Sequence, residues 1–309
     1  MLAKSGNVKF EKKSVSKSPN KNKLKYLTDE IAEHVFMISA LLGVACLFII
    51  IGFVFYKGLK PFIFEHYSFT EFLFGNEWVP SIGVFGISPM IVASIVGTLG
   101  ALFIGVPIGV LTAVYIAELA PKKVAKIISP AVELLAGIPS VLYGIFGVVV
   151  IVPVIQSVFN APKGQTLLAV IVVLSIMVLP TIVSVSETAI RAVPKVYKEG
   201  SLALGASKIE TVFKVVIPAA KSGILSAIVL GLGRALGETM AIILVAGNST
   251  ILPTSLLDSV RPLTTNIALE MGYAYGTHQD MLFAAGVVLF VFILMLNLIL
   301  NKISNKVVK

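Results

Sequence analysis

Two ionisable residues stand where an apolar sequence leaves little room for charge. The stretch Gly231-Leu-Gly-Arg-Ala-Leu-Gly-Glu-Thr-Met240 places Arg234 ten residues into an apolar run that begins near Ile224, with Glu238 four residues further on. At 1.5 Å per residue, ten helical residues reach roughly 15 Å, near the middle of a bilayer. Each charge costs about 2.5–3.5 kcal/mol to insert there. Positions four apart share a helix face, so an Arg234–Glu238 ion pair is expected to offset part of that cost. A guanidinium stays protonated and offers a fixed fork of donors, which suits a phosphate-like oxyanion. The expected chemistry is anion passage: Arg234 receives the anion, and Glu238 keeps it from being held too tightly. A purely structural pair that holds helices together is the alternative. Gly233 and Gly237, also four apart, would let a neighbouring helix approach closely.

The elements that must position such a pair are membrane spans. Of 309 residues, 57% are apolar and only 13% charged, about half the ~25% of soluble domains. That is too little charge to cover a soluble globule, which argues against a soluble enzyme, a nucleic-acid module or a disordered protein. Six runs are long enough to span: Val35–Tyr56, Pro89–Ala117, Ile127–Val158, Leu167–Ser186, Ile224–Gly247 and Met281–Leu300. Helices are expected, because lipid cannot satisfy free backbone groups and the runs do not alternate as barrel strands would. The reading is an all-α integral membrane protein with six transmembrane helices.

Basic residues fix its orientation. Lys4 to Lys25, then Lys122, Lys123 and Lys126, then Arg191 to Lys221, then Lys302, Lys306 and Lys309 alternate with loops that hold only one or two cations. The positive-inside rule therefore puts both termini in the cytoplasm of a cell-membrane protein. The net charge of +9 faces cytoplasm and anionic lipid and needs no nucleic-acid partner. Residues 1–28 are rich in Lys, Ser and Asn and are expected to be an irregular solvated tail. The outer loop 57–88 carries Phe62, Phe64, Phe69, Phe72, Phe74 and Trp78 and is expected to include an interfacial segment. The organisation that follows is a polar tail over 1–30, a first helix and outer loop over 31–86, a permeation core over 87–301 and a short tail over 302–309. A cleaved signal peptide is not expected, and Gly43-Val-Ala-Cys46 is a poor lipidation site.

Pro107, Pro139, Pro153 and Pro180 fall inside the middle runs, with a dense set of glycines at Gly97, Gly100, Gly105 and Gly109. Kinks in several spans favour a solute-lining bundle over a passive anchor. The basic loop 189–222 is organised too. Pro194 closes the preceding span. Ser207-Lys-Ile-Glu210 has capping-box spacing, so a short helix should start near Lys208 and end at Pro218. With a tight turn at Gly205–Ala206 this forms a compact knob suited to a partner's groove.

Glu199, Gly200, Ser201, Gly205, Val215, Ile217 and Pro218 match the EAA loop of ABC-importer permeases. Gly200 and Ser201 stand where alanines are typical. Three further stretches, Pro107–Glu118, Glu133–Gly144 and Gly233–Ala241, resemble the phosphate-importer permeases, the last of them the PstC branch. The resemblance runs from about Ile87 to the last span. It implies a type 1 ABC importer permease fold and inward transport of inorganic phosphate. It also implies a heterodimer with a sister permease, two ATP-binding subunits and an extracytoplasmic phosphate-binding protein. The EAA loop of that family docks on the ATPase and passes its closure to the membrane helices.

This chain has no Gly-x-x-x-x-Gly-Lys-Ser/Thr loop, so ATP–Mg is expected on a separate subunit and no cofactor on this one. His34, His66 and His278 have no metal-ligand spacing and read as solvated or interfacial. Glu118, Glu133 and Glu187 read as boundary charges or partners of loop lysines, so the chain is not read as an enzyme. Another oxyanion such as sulfate or molybdate is the alternative substrate. An ATP-independent carrier or channel is the alternative class, against which the EAA-like loop argues.

Overall fold

The computed structural model describes residues 19–308. The chain divides into two units, Met1–Phe53 and Val54–Lys309. In the first, the described residues belong to α1 (Pro19–Phe64), an apolar helix exposed nearly all round, as a lipid-facing segment must be. The irregular tail expected for residues 1–28 falls, for residues 1–18, outside the described residues; from Pro19 onward the chain is helical.

The second unit follows with α2 (Phe69–Phe74), a two-stranded hairpin of β1 (Trp78–Val79) and β2 (Val84–Phe85), and α3 (Ser88–Val114). Then come α4 (Lys122–Ala136), α5 (Ser140–Phe146), α6 (Val152–Phe159), α7 (Leu167–Arg191), α8 (Lys195–Ala203) and α9 (Lys208–Thr211). The chain continues with α10 (Ile217–Gly237), α11 (Met240–Val245), α12 (Leu263–Glu270) and α13 (Gly276–Val308). Among the described residues six helical stretches are long and apolar enough to cross a membrane: Lys25–Phe64, Ser88–Leu119, Ser140–Phe159, Leu167–Arg191, Lys208–Gly237 and Gly276–Leu300. The protein is a multi-pass, mainly helical membrane protein.

The most buried span is α7, and α3 lies against it along a glycine seam. A Cβ on Gly105 would meet Val178 Cγ2 at 2.8 Å, and one on Gly109 would meet Ile182 Cγ2 at 2.8 Å. Glycine is what permits that approach. From the other side α10 reaches α7 through Gly231, where a Cβ would stand 3.0 Å from Ile182 Cγ1. Ile182 is thus held between α3 and α10.

Prolines are accommodated in two ways. Pro61, Pro107, Pro130 and Pro180 sit within helices. Two others, Pro153 and Pro218, each stand two positions beyond a π-helical turn, Gly147–Ile151 and Val212–Val216, in a helix that runs on through the turn; Pro121 follows the Tyr115–Leu119 π turn, but there the extended Ala120 has already ended the helix. Proline removes the N–H that would bond the carbonyl four residues back and clashes with that carbonyl. For Pro153 and Pro218 those carbonyls belong to Val149 and Lys214, the middle residue of each π turn. The wider turn moves them out of the way.

This corrects the expected end of the loop helix at Pro218. The chain runs helically from Lys208 through the π turn into α10, and Pro218 sits in the first turn of that span, where a missing N–H is tolerated. The third expected run, Ile127–Val158, also divides. The α4 segment is a separate helix with Ile128 and Val132 against the core and Lys126, Ile127 and Leu134 exposed. It ends at Gly137 because Pro139 disfavours a helical Ile138, and the span proper starts at Ser140. The aromatic loop 57–88 folds into a cap. Phe72, Trp78 and Phe85 are buried with Leu263, Met281 and Leu282, while Phe64, Phe69 and Phe74 remain exposed.

Candidate functional site

Arg234 sits in the last turn of α10, where a cation complements the carbonyl end of the helix. Its Nη1 donates to Thr181 Oγ1 at 3.1 Å. Thr181 is 14 residues from Leu167 and ten from Arg191, hence about 21 Å and about 15 Å from the two ends of α7. The guanidinium therefore lies in the middle third of the most buried span. It borders an open cleft of about 710 Å³ lined by Thr181, Ser226, Val229, Leu230, Gly233, Arg234 and Asn297. Ser226 Oγ donates to Ser222 O at 3.0 Å and keeps its lone pairs free to accept. Thr181, Ser226 and Asn297 were not legible from spacing. Their only signal was a polar side chain in an otherwise apolar span.

The expected Arg234–Glu238 pair does not form. The α10 helix stops at Gly237, and Glu238 takes an extended backbone, φ −69° and ψ 133°. Its Oε1 accepts from Ala241 N at 3.1 Å, and its carbonyl accepts from Thr264 Oγ1 at 3.0 Å. The carboxylate caps the short α11 instead of neutralising the arginine. The cause is local: two glycines within five residues weaken the helix, and a side-chain acceptor just beyond stabilises a restart. The expected single run Ile224–Gly247 is thus a span broken at Glu238–Thr239, close to mid-depth. Among the described residues nothing lies within 4 Å of where a Cβ would stand on Gly233 or Gly237. The helix approach expected at these two glycines occurs at Gly231 instead.

At the Arg191 end of α7, Glu199, Gly200, Ser201 and Gly205 share a small knob. In it α8 and α9 meet at a turn in which Gly205 has φ +88°, a conformation that glycine adopts without strain. Ser207 and Glu210 form the capping box read from the sequence, with Glu210 N to Ser207 Oγ at 3.2 Å and Ser207 N to Glu210 Oε2 at 3.0 Å. Ser201 and Thr211 hydroxyls meet at 2.9 Å and close the knob. Its outer surface is apolar as well as polar: Leu204 is 91% exposed, and Val196, Tyr197 and Ile209 are exposed too. Outside lipid, such a surface marks a protein interface. Pro218 lies apart, at the root of α10. Glu118 is the partner of a loop lysine, as expected, bonding Lys198. Glu187 instead pairs with Arg191 on its own helix.

At the Leu167 end a second polar cluster closes the cap. Glu270, 7% exposed, accepts from Arg261 Nη1 through Oε1 at 2.7 Å and meets Trp78 Nε1 and His278 Nε2 at Oε2, both at 2.8 Å. His278 is therefore not the solvated or interfacial residue its isolation in sequence suggested.

Residues 105–309 match the family model of the binding-protein-dependent transport system inner membrane component. The chain belongs to that family. Among relatives of this inner membrane component, the "Probable ABC transporter permease protein YqgH" of Bacillus subtilis is 40% identical over 271 residues, 86% of this chain and 88% of that protein. The "Phosphate transport system permease protein PstC" of Pasteurella multocida is 36% identical over 246 residues, 74% of this chain and 77% of that protein. In solved structures, a bacterial ABC transporter that imports the acidic polysaccharide alginate aligns with TM-score 0.64 at 19% identity, covering 92% of this chain and 100% of that one. The MetNI methionine ABC transporter aligns with TM-score 0.54 at 22% identity over 72% of this chain and 94% of that one. The fold is that of a type 1 ABC importer permease. Membership in the family makes the chain a membrane transport component that works with an ATPase and a substrate-binding protein.

Proposed function

We propose that this chain is the PstC-type permease subunit of an ATP-driven importer of inorganic phosphate. The observation that carries the proposal is the cleft at Arg234. One permanent cation stands at mid-depth, its Nη1 held by a neutral hydroxyl and, among the described residues, with no carboxylate paired to it. An uncompensated guanidinium at that depth costs about 2.5–3.5 kcal/mol, and a passing anion supplies the missing charge. Thr181 and Ser226 hydroxyls and the Asn297 amide both donate and accept, so they suit an oxyanion that still carries a proton. Relatives named as phosphate transport permeases support the choice of substrate.

In this reading both termini and the α8–α9 knob face the cytoplasm, where Lys-rich and Arg-rich segments belong. The open space beside Gly233 and Gly237 takes the sister permease. ATP–Mg binds the two partner ATPase subunits, and Glu199, Gly200, Ser201 and Gly205 dock on them, with Pro218 anchoring the knob to α10. The break at Glu238–Thr239 is the place where the pathway opens alternately to an extracytoplasmic binding protein and to the cytoplasm.

The test is uptake of labelled phosphate into proteoliposomes holding the whole complex, with sulfate and molybdate as competitors. The proposal expects ATP-dependent uptake suppressed by unlabelled phosphate alone. Uptake suppressed equally by sulfate, or proceeding without the ATPase subunits, contradicts it.

A further inference from the structure

The Pro107–Glu118 stretch and the loop that begins at Glu199 are far apart in sequence, yet they touch. Glu118 lies in the π turn that ends the α3 span, and Lys198 immediately precedes Glu199 on α8. Their side chains are ion-paired, Glu118 Oε1 with Lys198 Nζ, at 11% and 23% side-chain exposure. No residue of α8 is buried. Among the described residues its side-chain hydrogen bonds are two: Ser201 to Thr211, within the knob, and Lys198 to Glu118. The second is the one that leaves the knob for another span.

The same π turn is also tied to the core. Arg191 Nη2 donates to Ile116 O at 3.3 Å, and Arg191 Nε donates to Glu187 Oε1 at 2.9 Å. Ser129 Oγ of α4 donates to that same carboxylate oxygen at 3.2 Å. The end of α3 is therefore held between α7 and the knob. The π turn closes with Ala120 N donating to Tyr115 O at 2.7 Å, just where the extended Ala120 ends the helix, and a π turn is a helical segment with a second, tighter arrangement available. A carboxylate as enclosed as Glu118 is costly to leave unpaired, so Lys198 and Glu118 should move together.

We propose that the Lys198–Glu118 pair is the joint through which displacement of the α8–α9 knob reaches α3, with the Tyr115–Leu119 π turn as the element that yields. The proposal rests on the importer reading above. Both residues are positioning residues, remote from the Arg234 cleft, and act on the ratio of anions moved to ATP spent.

The experiment uses the complete complex in proteoliposomes, with ATP hydrolysis and anion uptake read on the same vesicles. Failure of the importer reading shows in the unsubstituted complex; failure of the joint shows only in the variants. Lys198→Met and Glu118→Gln should each assemble and hydrolyse ATP while uptake per ATP falls about tenfold, the scale of a one-pair coupling term. The exchange Glu118→Lys with Lys198→Glu should recover uptake per ATP to within about threefold of the parent. Single variants that import at the parent's ratio overturn the proposal. So does an assembled exchange variant that stays uncoupled, and so do variants that lose only subunit association, since the pair would then be scaffolding.

Discussion

Trp78 donates its indole N–H to Glu270 across 192 positions of sequence, at 2.8 Å. That bond joins the hairpin of the cap to α12, and the same carboxylate holds Arg261. Glu270→Gln leaves a nearly enclosed guanidinium without its counter-charge, which costs about 3–5 kcal/mol. Trp78 is the only tryptophan in the chain, so its emission reports on the cap, provided any tryptophans of partner subunits are replaced. The variant should unfold at lower temperature in detergent, with Trp78 emission shifted to the red before the spans melt. An unchanged midpoint would show that the cluster adds nothing to the cap.

Asp258 makes the loop between α11 and α12 sensitive to acid. Its Oδ2 accepts from Thr254 N and Ser255 N, both at 2.8 Å. These backbone donors hold its carboxyl below the ordinary value. A depressed carboxyl stabilises the fold above its unfolded value and loses that stabilisation as pH falls through the folded value. Amide exchange in residues 254–258 should therefore accelerate as pH falls below about 4, after correction for intrinsic rates. Asp258→Ala should exchange fast throughout and show no such step. A parent loop protected evenly down to strong acid would contradict this.

The two sets of glycines should respond oppositely to added methyl groups. Gly105→Ala and Gly109→Ala push a Cβ against Val178 and Ile182, overpacking of about 1–3 kcal/mol. Gly233→Ala and Gly237→Ala meet nothing among the described residues, so the chain's own stability should hold. Thermal unfolding of the four variants separates them. Equal losses in both sets would mean that the α3–α7 seam is less tight than its geometry.

Much of the architecture is legible in the sequence because hydrocarbon imposes simple rules. Length and polarity pick out six spans, and the capping box at Ser207–Glu210 emerges where its spacing puts it. What escaped was where helices break. Ile127–Val158 and Ile224–Gly247 are continuous by hydropathy, but Pro139 and the paired glycines before Glu238 divide them. The i,i+4 rule applied to Arg234 and Glu238 failed for that reason, since it presumes an unbroken helix. Thr181, Ser226 and Asn297 escaped because tertiary packing, not spacing, brings three helices to one cleft. His278 and Glu270 form a cluster with Trp78 and Arg261 that no local pattern encodes.

Anion passage through this chain depends on the cation at the cleft. Arg234→Gln keeps a polar side chain with N–H donors and removes the charge. In the assembled complex, phosphate uptake should fall at least about tenfold, the scale of one charge-assisted contact, while ATPase assembly and nucleotide binding hold. Uptake at the parent's rate by an Arg234→Gln complex would contradict it.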